Sequence, residues 1–386
     1  MTFETLGLRA ELLAGLRAQG ITDSIGIQEK MIPAILAGRD VLACSQTGSG
    51  KTLGYLLPIF QRQGEIAAGL QVVILTPTHE LGLQVHRQVE LLAANSGIAL
   101  RSAAVFGDAN IELQIKKLKT KPQIVVGTPG RVLDLMVKKH IPAHLAKTII
   151  VDEGDLLLNR SNGALVSAVI KKAQRDTQLV VVSASMPKDT RKTVEEMGRQ
   201  PELIVDTAGQ RIPDNIKHIC VPCEERDKPE TLRKLLTVLA PQKAIAILNN
   251  RGLLEQATAK LQYHKVSADF IHGESSRQDR KRIMDDFQGG KLQILLATDI
   301  AARGLDLDDI DIVFCLTASE EPNDYLHRAG RTGRCGREGL CVSLVSPQEK
   351  AQYQLYEKQF KITMEQKCLR EGKLLDVGAL KGMRRG

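Results

Sequence analysis

The run Ser45-Gln46-Thr47-Gly48-Ser49-Gly50-Lys51-Thr52 has the composition of a loop that closes backbone N–H groups around phosphate. Its glycines permit close approach of the main chain, and a following helix would add the partial positive charge of its amino end. Lys51 would reach the β- and γ-phosphates, and Thr52 would offer its hydroxyl to Mg2+. The first position is Ser45 where the usual pattern has glycine, so a strand before and a helix after carry much of the inference. Further along, Asp152-Glu153-Gly154-Asp155 follows the apolar run Thr148-Ile149-Ile150-Val151. Asp152 would hold the metal, and Glu153 would orient or deprotonate an attacking water. An acidic pair ending a strand is by itself more often a solvated loop; the phosphate-binding run reverses that reading. In His327-Arg328-Ala329-Gly330-Arg331-Thr332-Gly333-Arg334, Arg331 and Arg334 stand three residues apart. Guanidinium groups so placed can neutralise charge on a transferring phosphoryl group. Together these residues equip a nucleotide triphosphatase whose site is shared between two halves of the chain.

The elements that must position them are legible as short apolar runs between helix-like segments. In the first half these are Val41–Cys44, Val72–Thr76, Ile124–Gly127, Thr148–Val151 and Leu179–Ser183. In the second they are Ile216–Val221, Ala244–Leu248, Ala268–His272, Ile294–Thr298, Ile312–Leu316 and Leu340–Val345. Continuous apolar strands alternating with helices predict α/β domains with parallel sheets covered on both faces, doubly wound. The chemically loaded segments begin where strands stop, and the carboxyl edge of such a sheet is where ligands bind. Gly, Pro and polar residues interrupt the pattern at 207–214, which predicts a nucleotide-binding domain over 1–206, a linker over 207–214 and a second domain over 215–370. Residues 371–386 read as a short basic tail, more a frayed end than a nucleic-acid contact. Met1 to Gly20 reads as an amphipathic helix and not a signal peptide.

Length agrees with two domains, since 386 residues exceed what one core usually organises. Apolar content of 43% with 25% charged residues is ordinary for a globular protein, and no run is long enough to span a membrane. The cytoplasm is the expected location. Seven scattered cysteines favour buried reduced thiols, and Cys220-Val221-Pro222-Cys223 lacks the second pair of a zinc ribbon. The formal charge is +8, divided evenly: 24 Lys and Arg against 20 Asp and Glu in residues 1–206, and 29 against 25 thereafter. That distribution suits a polyanion lying across both halves, with a merely soluble basic surface as the plainer alternative. Aromatics are 3% with no Trp, so contacts to phosphate and sugar are expected in place of base stacking.

From about Leu6 to Leu344, and in the same order, these segments resemble the DEAD-box family of RNA helicases in superfamily two, with Asp-Glu-Gly-Asp in place of Asp-Glu-Ala-Asp. The resemblance implies two tandem RecA-like domains, ATP and Mg2+ as cofactors, and RNA as partner. It assigns Gln28 to reading the adenine edge. Ser183-Ala184-Ser185 becomes the segment that links the last acid, Asp155, to strand separation, and His327 joins this coupling set. It implies RNA-backbone contact through Pro77, Thr78, Gly107, Thr128-Pro129-Gly130-Arg131 and Thr298, and ATP contact around Gly304 and Asp306. Arg331 and Arg334 take the arginine-finger positions.

The departures cluster on the nucleic-acid side. His79 stands where the family carries an RNA-facing arginine, Asp108 replaces one of two glycines, and Arg277 replaces a glutamine ahead of the matching Arg280. Thr317 and Ser319 replace an acid and a proline. Near Gln28, Ser24 replaces the usual proline and Ile21 an aromatic, which predicts a weakened but retained ATP preference. Gly154 loses one methyl and adds backbone freedom, worth about 0.5–1 kcal/mol in regular structure. The expectation is intact ATP hydrolysis with an altered RNA grip, in a monomer whose targeting falls to its core, its basic end or protein partners. An RNA clamp or silent scaffold is the alternative, and a DNA translocase is disfavoured.

Overall fold

The computed structural model describes every residue except 1, 46–48, 63–68, 108, 159–161, 184–187, 206–211, 274, 303–309, 320–321, 334–336, 371 and 378–386, and the side chains of residues 188, 189, 277 and 300. The chain forms two compact units, Met1–Gly209 and Gln210–Gly386.

The first unit carries β1 (Val41–Cys44), β2 (Val72–Leu75), β3 (Ser102–Val105), β4 (Ile124–Gly127), β5 (Thr148–Asp152), β6 (Gln178–Ser183) and β7 (Glu202–Val205). All pair in parallel, in the order β3-β4-β2-β5-β6-β1-β7. Helices α1 (Ala10–Arg17), α2 (Gly26–Leu36), α3 (Lys51–Gln61), α4 (His79–Ser96), α5 (Ile111–Leu118), α6 (Pro129–Val137), α7 (Gly154–Leu157), α8 (Gly163–Lys172) and α9 (Lys188–Glu196) fill the connections. Two apolar clusters occupy this unit, one including Met31, Tyr55, Phe60 and Val89, the other Leu75, Val132, Leu157 and Val181. A strand buried on both faces is apolar through its middle: β1, β2 and β4 have no exposed residue, and β5 is buried throughout with its polar residues, Thr148 and Asp152, at its two ends.

The second unit has α10 (Lys228–Leu239), α11 (Arg251–Tyr263), α12 (Arg277–Gln288), α13 (Asp299–Ala302), α14 (Pro322–Ala329) and α15 (Lys350–Phe360). Its strands are β8 (Ile216–Pro222), β9 (Ala244–Ile247), β10 (Ala268–Ile271), β11 (Ile294–Ala297), β12 (Ile312–Cys315), β13 (Gly339–Val345), β14 (Met364–Arg370) and β15 (Lys373–Asp376), in the order β10-β11-β9-β12-β13-β8-β14-β15. Every pairing is parallel except β14 with β15.

Some helices begin on a side-chain cap. Thr78 accepts from Leu81 N at 3.3 Å to begin α4, Asn110 accepts from Glu112 N at 2.8 Å to begin α5, and Ser276 accepts from Asp279 N at 3.1 Å to begin α12. Three expectations need correction. The single amino-terminal helix is a short 3-10 turn, Phe3–Leu6, followed by α1, because Gly7 takes a left-handed φ of 69° between them. Strands β3, β7, β14 and β15 were not legible: β3 is built partly on alanine, and the others are edge or near-edge strands with polar positions. The end of the chain is therefore not wholly frayed, since Lys373–Asp376 pair with Lys367–Arg370.

Candidate functional site

The strand order of the first unit separates two groups of loaded loops. Those at the ends of β1, β5 and β6, which are neighbours, carry the segments that begin at Ser45, Asp152 and Ser183. Those following β3, β4 and β2, also neighbours, carry Gly107, Thr128-Pro129-Arg131 and Pro77-Thr78. Residues far apart in sequence thus share one carboxyl edge because the crossovers place them there.

On the phosphate side, Ser45 leaves β1 with its N–H on Ser183 O at 3.1 Å. Gly50 precedes α3 with φ 70°, a conformation that favours glycine, and a Cβ there would lie 2.3 Å from Gln28 Nε2. The Gln28 amide joins two elements: its Oε1 accepts from Ile25 N at 3.1 Å, and its Nε2 donates to Gly50 O at 3.1 Å. Lys51 opens α3, is buried, and donates from Nζ to Ser45 O at 2.5 Å. The lysine predicted to meet phosphate is thus folded against its own loop.

Asp152 ends β5 and is buried, and each carboxylate oxygen is engaged. Tyr55 Oη donates to Oδ2 at 2.8 Å, and Glu153 N donates to Oδ1 at 3.0 Å. Burial raises the carboxyl pKa above its ordinary value, opposed by the Tyr55 bond and the Lys51 charge. The same burial pushes the Tyr55 phenol well above its ordinary range, which keeps it a donor. Glu153 adopts φ 56° and ψ 57°, left-handed for a residue with a side chain, and so turns the chain sharply off the strand end. Asp155 N–H then reaches Ser183 Oγ at 3.1 Å, tying the acidic turn to the end of β6. Hydroxyl and carboxylate oxygens, the donors of Thr52 and Asp152, suit a hard divalent ion such as Mg2+.

On the other side, Arg131 donates to Gly107 O at 2.6 Å, Ala109 O at 3.3 Å and Gln114 Oε1 at 3.1 Å. Its guanidinium therefore shapes the turn after β3. His79 packs against buried Phe106, ring centroids 4.2 Å apart and planes tilted by 33°. A Cβ on Gly82 would meet the Phe106 ring at 2.3 Å, so the ring occupies space that the glycine leaves.

In the second unit, Thr298 follows β11 and its Oγ1 accepts from Ala301 N at 3.3 Å. His327 and Arg331 lie at the end of α14 and just beyond it, both buried. Arg328, 3% exposed, forks onto Asp299, with Nε to Oδ1 at 2.7 Å, and also donates to Thr317 O. Asn249 completes the network, donating to Asp299 Oδ2 at 2.6 Å and from its N–H to Thr317 Oγ1 at 3.1 Å. Thr317 and Ser319, flagged as departures, thus have structural work: Ser319 N donates to Tyr356 Oη at 2.9 Å. Tyr55 and Arg328 were missed by sequence reasoning. Tyr55 stands four residues after Lys51, the spacing that shares a helix face, and that was its available signal. Gln46, Thr47, Gly48, Asp108, Ser185, Gly304, Asp306 and Arg334 lie outside the described residues.

Neighbouring strand ends that carry Ser45, Asp152 and Ser183 on the carboxyl edge of a parallel sheet define a doubly wound α/β protein, the class whose ligands bind at that edge. Residues 25–194 match the DEAD/DEAH box helicase domain and residues 227–336 the helicase conserved C-terminal domain. The chain is 39% identical over 358 residues to the DEAD-box ATP-dependent RNA helicase CshC of Bacillus cereus, covering 93% of this chain and 91% of the relative. It is 36% identical over 357 residues to the probable ATP-dependent RNA helicase YfmL of Bacillus subtilis, covering 92% and 94%. A structure of S. cerevisiae Dbp5 bound to RNA and ADP BeF3 superposes with a TM-score of 0.84 at 28% identity over 95% of each chain. The chain belongs to the DEAD/DEAH box helicase family.

Proposed function

We propose that this protein is an RNA-stimulated ATPase of the DEAD-box type that uses ATP to remodel RNA duplexes or RNA–protein complexes. The observation that carries this reading is the partition of one sheet edge: nucleotide-type loops after β1, β5 and β6, nucleic-acid-type loops after β2, β3 and β4. Residues 45–52 would cradle the triphosphate, with Lys51 leaving Ser45 O for the β- and γ-phosphates and Gln28 reading the adenine edge. Thr52 and Asp152 would hold Mg2+, which when bound screens phosphate charge. Glu153 would take the proton of the attacking water, and Arg331 and Arg334 would meet charge developing on the phosphoryl group. Gly304 and Asp306 would contribute further ATP contacts. Pro77, Thr78, Gly107, Thr128, Pro129 and Thr298 would meet the RNA backbone, with Arg131 acting through the turn it shapes. Asp155, Ser183, Ser185 and His327 would couple the two events. Protein partners are proposed for targeting.

The test is ATP turnover with single- and double-stranded RNA, beside duplex unwinding. Wild type should be stimulated by RNA, and Lys51→Ala and Glu153→Gln should each lose about 100-fold or more in kcat. Turnover indifferent to RNA, or surviving both substitutions, would remove the reading.

A further inference from the structure

We propose that Gly154 and Val181 form a size-matched pair that positions Glu153 and Asp155, so that the acidic turn tolerates no side chain at residue 154 while valine stands at 181. The inference rests on the proposed role of Glu153 in hydrolysis. Gly154 is not among the glycines with left-handed φ, so its backbone conformation is open to alanine, which the family carries at this position. The obstacle is space. A Cβ on Gly154 would sit 2.6 Å from Val181 Cγ1, 3.5 Å from Val182 O and 3.8 Å from Ser183 Cβ.

Val181 cannot easily withdraw. It lies in the middle of β6, paired with Val151, and is 1% exposed in the cluster that also holds Leu157, Leu158 and Val166. Its β-branched side chain has few rotamers to choose from. Ordinary contact begins at 3.4 Å, so relief by the turn alone requires a shift of about 0.8 Å away from β6. That turn begins with the left-handed Glu153, and it is held by Glu153 N on Asp152 Oδ1 at 3.0 Å and Asp155 N on Ser183 Oγ at 3.1 Å. A methyl at 154 would therefore displace the residue proposed to handle water and strain the link to Ser183. Val181 is a positioning residue acting through Gly154.

The experiment compares full-length wild type, Gly154→Ala, Val181→Ala and the double variant. The readouts are RNA-stimulated ATP turnover, binding of a fluorescent ATP analogue, and thermal unfolding. Restoring the family's alanine should lower kcat about 30-fold, because displacement near 1 Å is costly to reacting geometry. KM for ATP and analogue affinity should change less than about twofold, since the loop around Lys51 is untouched. The double variant should return to within about threefold of Val181→Ala alone. Wild-type turnover in Gly154→Ala, or a double variant no better than Gly154→Ala, overturns the pairing. If Gly154→Ala does not fold, recovery of a folded, active double variant supports it and failure of that variant overturns it. If wild type itself shows no turnover, the proposed function falls. The pairing is then judged by whether Val181→Ala reverses the loss of Tm in Gly154→Ala.

Discussion

His218 shows how one buried side chain makes stability depend on pH. Its Nδ1 is 2.7 Å from Tyr325 Oη, the residue is buried, and desolvation lowers its pKa to about 4. The unfolded chain binds a proton near pH 6.5 that the folded chain refuses until about 4, so stability is full above 6.5 and falls as pH drops through that window. The loss at the acid end should be on the order of 3 kcal/mol. Urea unfolding at pH 7 and pH 4.5 should show a clearly smaller drop for His218→Asn, whose amide can still meet Tyr325; an equal drop would assign the acid sensitivity elsewhere. Asp152 illustrates the limit of reading residues singly: its type and place at a strand end were evident, but its hydrogen bond to Tyr55 joins positions 97 residues apart and needed coordinates.

Between elements, the second unit is pinned by a buried cation. Lys228 opens α10 with a fully buried side chain, 2.6 Å from Glu225 and 2.7 Å from Glu349. Glu349 also accepts from Ala318 N at 2.7 Å and Ser346 Oγ at 2.8 Å, so one carboxylate gathers the start of α10, the turn before α15 and the segment after β12. Lys228→Met should destabilise by about 3 kcal/mol, because it leaves a largely buried carboxylate short of its cation. Adding Glu349→Leu should recover part of that loss in chemical denaturation. No recovery would mean that Glu349 contributes through its neutral partners and not through the ion pair. Central strands were legible as short apolar runs, with helices in the segments between them. Strands β14 and β15 were not, because a polar edge strand resembles a loop until its neighbour is known.

For the molecule as a whole, charge is spread evenly between halves yet concentrated within the first: residues 111–147 hold eight Lys and Arg against two Asp and Glu. This segment includes β4 and the Thr128–Arg131 run, where the RNA backbone is proposed to lie. Affinity for RNA should therefore fall steeply with salt. His79, packed against Phe106, offers an aromatic ring where the family has a guanidinium, and Asp108 adds a negative charge. The double change His79→Arg, Asp108→Gly should tighten single-stranded RNA binding about tenfold at low salt and steepen its salt slope. Unchanged affinity in a fluorescence titration would dismiss the altered grip.

The order of strand-end motifs determined the family, the doubly wound architecture and the chemistry, because a phosphate-binding turn demands particular residues at short spacing. Tertiary structure alone decided which distant side chains share space. The Gly82–Phe106 and Gly154–Val181 contacts, the Tyr55–Asp152 bond and the Asn249–Asp299–Arg328 network each join segments whose proximity depends on strand order. Close packing is a property of neighbours in space, and one chain read linearly does not name them.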